Sequence, residues 1–173
     1  ESSIRIPMAL TGGPFTGGGR LMRLTSLVDI APTLLEACSI PVPEDMQGHS
    51  FLSSLRNPGE KGPEEVFIQI SESQVGRAVR TSRWKYSVEA PDKDPMNDSA
   101  SDDYVETFLY DVEHDPWEQH NLIYSEAHEP VCRVMRERLL RCMKDAGEEP
   151  AVIEPAEKKK QGALKIFPGE EWL

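Results

Sequence analysis

Side chains that could act as nucleophiles, acid–base catalysts or metal ligands are few and far apart in this sequence. The four histidines are His49, His114, His120 and His128. The three cysteines are Cys38, Cys132 and Cys142. The chain contains no HExxH zinc motif, no GxSxG nucleophile elbow and no CxxC pair. The sequence therefore predicts no catalytic residue and no metal ligand within this chain.

The charge balance limits the partners of the chain. Its 173 residues include 30 Asp and Glu against 19 Lys and Arg, a formal net charge of −11. Because nucleic acids are bound by clustered cationic side chains, this balance argues against a nucleic-acid partner. No apolar run reaches the roughly 20 residues that cross a bilayer, so no membrane insertion is predicted. The sequence opens at Glu1 without a targeting signal, and we expect a piece of a longer protein, whose localisation stays unknown.

The first part of the chain has the pattern of a strand followed by helices. Residues 4–10 are mostly apolar and precede a Gly-Gly-Pro turn, which predicts a buried strand. Apolar side chains recur every three or four positions over residues 29–38, which predicts a helix capped by Asp29. A short helix is predicted over residues 51–55, and the Pro- and Gly-rich stretch 57–63 marks a domain boundary.

After this boundary the sequence changes to runs of β-branched and aromatic residues separated by turn residues. These runs predict an antiparallel meander of four strands: residues 66–70, 77–81, 84–89 and 105–110. The acidic stretch 91–103 predicts a solvent loop between the third and fourth strands. Asn121, after the Asp-Pro turn that follows the last strand, is a candidate helix cap.

Residues 130–146 carry the apolar stripe of an amphipathic helix that packs on this sheet. The core that we predict for the sheet and helix comprises Val79, Trp84, Tyr86, Leu109, Val134, Met135 and Leu139. Residues 147–173 are rich in Glu, Lys and Pro and predict a polar tail. Its late aromatic residues, Phe167 and Trp172, are candidates to dock on the body of the protein.

Four segments in this order resemble a sulfatase. SLVDIAPTLL at residues 26–35 and GHSF at residues 48–51 resemble the closing segment of the sulfatase α/β domain. RAVRTSRWKY at residues 77–86 resembles the small C-terminal domain of the same family. So does the pattern FLYD, DPWE and NL across residues 108–122.

The resemblance implies the C-terminal portion of an α/β, alkaline phosphatase-like fold. Residues 1–60 would be the end of the large α/β domain, formed by a strand, a helix and a short helix. Residues 61–146 would be a small α+β domain with a four-stranded antiparallel sheet and a C-terminal helix, followed by the 147–173 tail.

Sulfatases, including arylsulfatases, hydrolyse sulfate esters with a formylglycine made from Cys or Ser in a C/S-x-P-S/A-R motif, beside a divalent cation that is usually calcium. This sequence has no such motif: Pro41 lies one place too late after Cys38, and a motif starting at Ser39 would have Pro43 in place of the arginine. The resemblance therefore places the nucleophile and the cation ligands in a missing N-terminal catalytic portion. We expect the fragment alone to be inactive, and the parent protein to act on a small sulfated substrate.

Two alternatives to a sulfatase follow from the same residues. A phosphonate or phosphodiester hydrolase of the same superfamily would share the scaffold. A non-catalytic α+β interaction module would keep the fold without the chemistry. The residues upstream of Glu1 would distinguish these possibilities.

Two residues of this chain are candidates to line the sulfate-ester pocket of the parent. His49 follows Gly48 on a predicted loop, and Arg77 follows Gly76 where a loop becomes a strand. The apolar residues within 4–10 and 27–38 should bury against a sheet whose other strands are missing. We therefore expect the truncated piece to associate with a second copy or to hold this segment loosely.

Overall fold

The computed structural model describes residues 1, 3–57 and 59–158. The helices are α1 (Ile30–Ala37), α2 (Leu52–Arg56) and α3 (Glu129–Asp145). The strands are β1 (Glu65–Ile70), β2 (Gly76–Thr81), β3 (Trp84–Glu89), β4 (Asp103–Asp111) and β5 (Val152–Glu154). Short 3₁₀ turns at Leu27–Asp29 and Glu126–His128 lead into α1 and α3. Phe167, Trp172 and the rest of the predicted tail after residue 158 lie outside the described residues.

The strands form one five-stranded sheet in the order β1-β2-β3-β4-β5. The first four pair antiparallel, with Val79 opposite Tyr86 and Tyr86 opposite Leu109. β5 adds to the free edge of β4 in parallel, with Ile153 opposite Tyr104. The prediction of four antiparallel strands is therefore wrong by one strand. The fifth strand lies in the segment predicted as a polar tail, because three residues flanked by prolines give little strand signal of their own.

The core lies between one face of the sheet and the buried stripe of α3. Leu139 is 0 % exposed, and its helical neighbours Cys132, Met135 and Met143 are also buried. The predicted core is confirmed for Val79, Tyr86, Leu109, Met135 and Leu139, and Trp84 packs at its margin. Val134 is 49 % exposed, so its assignment to the core is wrong. Successive helical residues are about 100° apart, which turns Val134 away from the sheet when Met135 faces it.

The predicted strand over residues 4–10 is also wrong. These residues are extended or turn-like, and no other described residue pairs with them in a ladder. Ile6 and Met8 are exposed. A strand gains its stability from backbone partners and cross-strand contacts, which the described residues do not supply.

The core assignment gives a direct stability test with a matched control. Leu139→Ala should lower the free energy of unfolding by about 2–5 kcal/mol, because it leaves a cavity under the sheet. Val134→Ala, on the same helix, should change it by less than about 0.5 kcal/mol. Urea denaturation followed by circular dichroism measures both, and equal losses in the two variants would contradict this core.

Candidate functional site

The loop that carries His49 is fixed by Asp29. The backbone N–H of His49 donates to Asp29 Oδ1 at 2.9 Å, and that of Ser26 donates to Oδ2 at 2.9 Å. Gly48 lies so close to the 3₁₀ turn that a Cβ there would be 1.9 Å from the Val28 carbonyl oxygen. The backbone on both sides of His49 is therefore tightly placed, while its imidazole is exposed.

Asp29 is the N-cap residue of α1, as predicted, but its side chain makes no cap hydrogen bond to that helix and anchors the loop instead. The turn before α1 begins at Ser26, and the Asp29 carboxylate reaches back to the Ser26 N–H and across to the loop. Beside it, the Thr33 hydroxyl donates to the Asp29 carbonyl at 2.6 Å and accepts from the Phe51 N–H at 3.1 Å. The signal in the sequence was the spacing of Ser26 and Asp29, which is that of a capping box.

Arg77 is buried at 2 % exposure and ties three parts of the chain together. Its Nε donates to Glu148 at 2.7 Å, its Nη1 to the Gly76 carbonyl at 2.8 Å, and its Nη2 to the Ser99 carbonyl at 2.8 Å. Its guanidinium also lies 5.9 Å from the centre of the Tyr104 ring. Each nitrogen of the side chain therefore has an acceptor within the chain. A role in lining a substrate pocket stays a prediction for Arg77.

His49 lies on the loop before α2 and Arg77 lies in β2, and the described contacts do not join their side chains. The Gln47 amide donates to the Ala146 carbonyl at 3.4 Å, and Glu148 follows two residues later. The loop of His49 and the ion pair of Arg77 therefore meet at the end of α3.

A buried carboxylate, which the sequence analysis missed, lies on the core face of β4, where Val88 of β3 separates it from Arg77 in the strand register. Glu106 is 3 % exposed. The Tyr86 hydroxyl donates to its Oε1 at 3.1 Å, as does Arg136 at 2.5 Å. Burial alone would raise the pKa of Glu106, but the Ala156 N–H and the Arg136 guanidinium bound to the carboxylate hold that pKa below its usual value. The alternation of Tyr104 and Glu106 along β4 was the signal that this acid faces inward.

Asn121 does not cap a helix. Its Oδ1 accepts from the N–H of Leu109 at 3.0 Å and from that of Ile123 at 3.1 Å. Its Nδ2 donates to the Thr107 carbonyl at 2.9 Å. The amide therefore pairs with backbone groups of β4 beside the bulge where the β3 register shifts.

An open cleft of about 740 Å³ lies between the start of α3 and the β2–β3 turn, and neither His49 nor Arg77 lines it. Two of its cationic side chains, Arg83 and Arg138, pair with carboxylates of the chain, and Arg23 donates to Ser54 Oγ at 2.5 Å. The Arg83 guanidinium lies 2.7 Å from Asp111 and 4.7 Å from the Trp84 ring centre, and Arg138 pairs with Glu64 and Glu65. The Arg83 hydrogen bond, with help from His114, lowers the pKa of Asp111 to about 2. The carboxylate partners of Arg83 and Arg138 therefore reduce the positive charge that the cleft presents to a ligand.

Metal ligands are not assembled in the described part of the chain. No group of three or more His, Cys, Asp or Glu side chains there could hold an ion. The residues present do not fit the cation that the sulfatase resemblance implies. Within the same residues, no helix is long and apolar enough to cross a membrane.

A solved structure shares this fold. A protein in complex with its substrate D-glucosamine-2-N,6-O-disulfate superposes with a TM-score of 0.58 at 22 % identity, over 76 % of this chain and 25 % of that one. At that identity the likeness shows the fold alone. The arrangement of helices and strands described above is therefore shared with that protein over about three quarters of this chain.

Residues 1–145 match the family model described as N-sulphoglucosamine sulphohydrolase, C-terminal. The chain belongs to that family, which confirms the resemblance to the C-terminal region of sulfatases. The ulvan-active sulfatase of Formosa agariphila is 28 % identical over 149 residues, which cover 73 % of this chain and 29 % of that relative. Arylsulfatase K of Homo sapiens is 27 % identical over 132 residues, which cover 70 % of this chain and 23 % of that relative. The chain thus spans less than a third of the length of either relative.

The geometry of Arg77 predicts a loss of stability when its side chain is removed. Arg77→Ala should lower the free energy of unfolding by about 3 kcal/mol, because Glu148 is left without its counter-charge in a half-buried position. Arg133→Ala, which removes an exposed arginine of α3, should change it by less than about 0.5 kcal/mol. Chemical denaturation measures both. A loss for Arg77→Ala as small as that of the control would instead favour an arginine held in place for a ligand.

Proposed function

We propose that the chain is the C-terminal part of a sulfatase that hydrolyses sulfate esters. The family match over residues 1–145 carries this proposal. The match to sulfatases favours this reading over a phosphonate or phosphodiester hydrolase and over a non-catalytic interaction module. The relatives named above are far longer than this chain, which supports a catalytic portion elsewhere in the complete protein.

In this proposal the nucleophile and the cation belong to that other portion. The family resemblance implies a formylglycine and a divalent cation, usually calcium, which together supply a covalent nucleophile and charge stabilisation for attack at sulfur. The described residues of this chain hold neither group, so they perform none of those steps. Their contribution is to build a rigid scaffold and to place loops at its edge.

The surface of the first part supports a docking role toward the catalytic portion. Several large apolar side chains there are exposed: Ile6, Met8, Met22, Leu27, Val28, Leu34, Ile40 and Val42. We call these residues the apolar surface. Exposure of this many apolar side chains within residues 6–42 favours an interaction site, because contact of apolar groups with water is unfavourable. The occupant that we propose is the N-terminal catalytic portion of the same protein.

His49 is better placed than Arg77 to reach a substrate in this arrangement. Its imidazole is exposed, and the Asp29 and Gly48 contacts hold its backbone in position. A protonated or hydrogen-bonding imidazole on a fixed loop can contact a sulfate oxygen. We propose this role for His49 in the complete protein.

Activity tests the proposal at two levels. The purified chain of 173 residues should not turn over an aryl sulfate in the presence of calcium. A protein extended upstream to the length of the relatives should do so. In that longer protein His49→Ala should lower kcat/KM about tenfold through KM, because one hydrogen bond to a charged group is lost.

His120→Ala is the matched control, because His120 is also exposed but belongs to a different loop. It should leave the kinetics unchanged. Turnover by the highly purified 173-residue chain would contradict the assignment of the chemistry to another portion. Equal kinetics for the two histidine variants would contradict a contact between His49 and the substrate.

The apolar surface predicts self-association of the isolated chain. Light scattering should give a mass above that of a monomer, and Leu27→Ser with Leu34→Ser should lower it, because less apolar area is then available for contact. Met96→Ser, on the exposed loop before β4, should leave the mass unchanged. A clean monomer with strong amide protection over residues 4–38 would contradict the need for a partner on this surface.

A further inference from the structure

The segment after α3 returns along the sheet and closes one side of the core. Gly147 has a φ of +80°, the left-handed conformation that ends helices and that glycine adopts without strain. β5 then pairs with β4, and Ile153 and Ala156 are buried at 6 % and 8 % exposure. We call residues 149–158 the strap; Glu148, which pairs with Arg77, lies before it. The family match ends at residue 145, so the strap lies outside it.

The two oxygens of the Glu106 carboxylate bind different parts of the molecule. Oε1 accepts from Tyr86 and Arg136, which belong to the sheet and to α3. Oε2 accepts from the Ala156 N–H at 3.0 Å and from Lys158 Nζ at 3.3 Å, both in the strap. One buried carboxylate therefore holds the strap with one oxygen and the body of the domain with the other.

Lys158 also contacts the thiol of Cys132. Its Nζ lies 3.4 Å from Cys132 Sγ and donates to the Ile123 carbonyl at 2.6 Å. Cys132 is fully buried. Its burial raises the pKa of its thiol, so it is unreactive while the strap is closed.

The strap has fewer attachments than the other strands. It pairs through only three residues, and Val152 at the start of that pairing is exposed. Its described polar side-chain contacts converge on Glu106 and its neighbour Ile123. When the strap leaves, Oε1 keeps Arg136 and Tyr86, so the carboxylate is not left without a counter-charge. Opening the strap is therefore much less costly than breaking the whole buried cluster.

We propose that the strap is a latch on the small domain, that Glu106 is its clasp, and that opening it uncovers the thiol of Cys132. Local opening of this kind leaves the rest of the sheet folded, because β1 to β4 form a complete antiparallel meander without β5.

Two variants of the full chain test the latch. Lys158→Met removes the ammonium group and keeps an unbranched stem, and Glu106→Gln keeps the shape of the clasp without its charge. Maleimide labelling, located by peptide mass spectrometry, reports on Cys132, and the exposed Cys38 is an internal standard. Hydrogen exchange follows the amides of β5, β2 and β3 in the same samples. Lys144→Met, at an exposed lysine of α3, is the matched control.

In Lys158→Met and Glu106→Gln, Cys132 should be labelled about tenfold faster, because a hydrogen bond to a charged group is lost at the clasp. The β5 amides should exchange faster, while Cys38 and the amides of β2 and β3 stay as in the wild type. Faster exchange in β5 without faster labelling of Cys132 would overturn the role of the strap as its cover. Wild-type behaviour of both probes in Lys158→Met would overturn the clasp. If Glu106→Gln also loses protection in β2 and β3, the result for Lys158→Met alone decides whether this contact holds the strap closed.

Discussion

The small domain is organised around the burial of one carboxylate. Glu106 lies inside the core, where an unpaired charge would be strongly unfavourable, and every group that neutralises it comes from another element. β3 supplies Tyr86, α3 supplies Arg136, and the segment after α3 supplies the Ala156 N–H. The sheet and the helix must therefore be in place together for this charge to be tolerated, and the returning segment adds a further hydrogen bond.

A second buried ion pair joins separate elements at the C-terminal end of α3. Arg77 and Glu148 are 71 positions apart in the chain, and their contact holds the start of β2 against the residues that leave the helix. The Arg77 side chain also reaches the loop before β4 through the Ser99 carbonyl. Because α3 is tied at its middle by Arg136 and just after its end by Glu148, its apolar stripe is held on the sheet by polar contacts as well as by packing.

The first part of the chain is held locally but remains apolar at its surface. Asp29 and Thr33 join the turn before α1 to the loop of His49 and to the start of α2. These bonds satisfy the polar groups of a small unit without covering its apolar side chains. The polar groups of this unit are hydrogen-bonded, while Leu27, Val28 and Leu34 are exposed. This combination is expected of a scaffold whose apolar side chains contact another part of the protein.

Local sequence signals predicted most of the elements. Apolar residues recur every three or four positions in α1 and α3, and β-branched residues are frequent in β1 to β4. These are patterns of neighbouring residues, so they could be recognised without tertiary information. Several core residues, including Leu139, followed from the same periodicity. The position of Val134 did not, because the edge of a helical stripe depends on how the helix is rotated against its sheet.

The sequence by itself determined the family, the acidic charge, the helices and the antiparallel meander, since each depends on local patterns or on short motifs. Only the tertiary structure decided which polar groups are buried and which hydrogen-bond partners they have. Arg77 has an acceptor for each of its nitrogens because Glu148 and Ser99 are brought to it, and Asn121 binds the β4 backbone because a bulge leaves groups to pair. Whether a segment becomes a strand depends on a backbone partner that can be distant in sequence. Residues 152–154 form β5 because β4 pairs with them, whereas residues 4–10 form no strand because no described residue pairs with them.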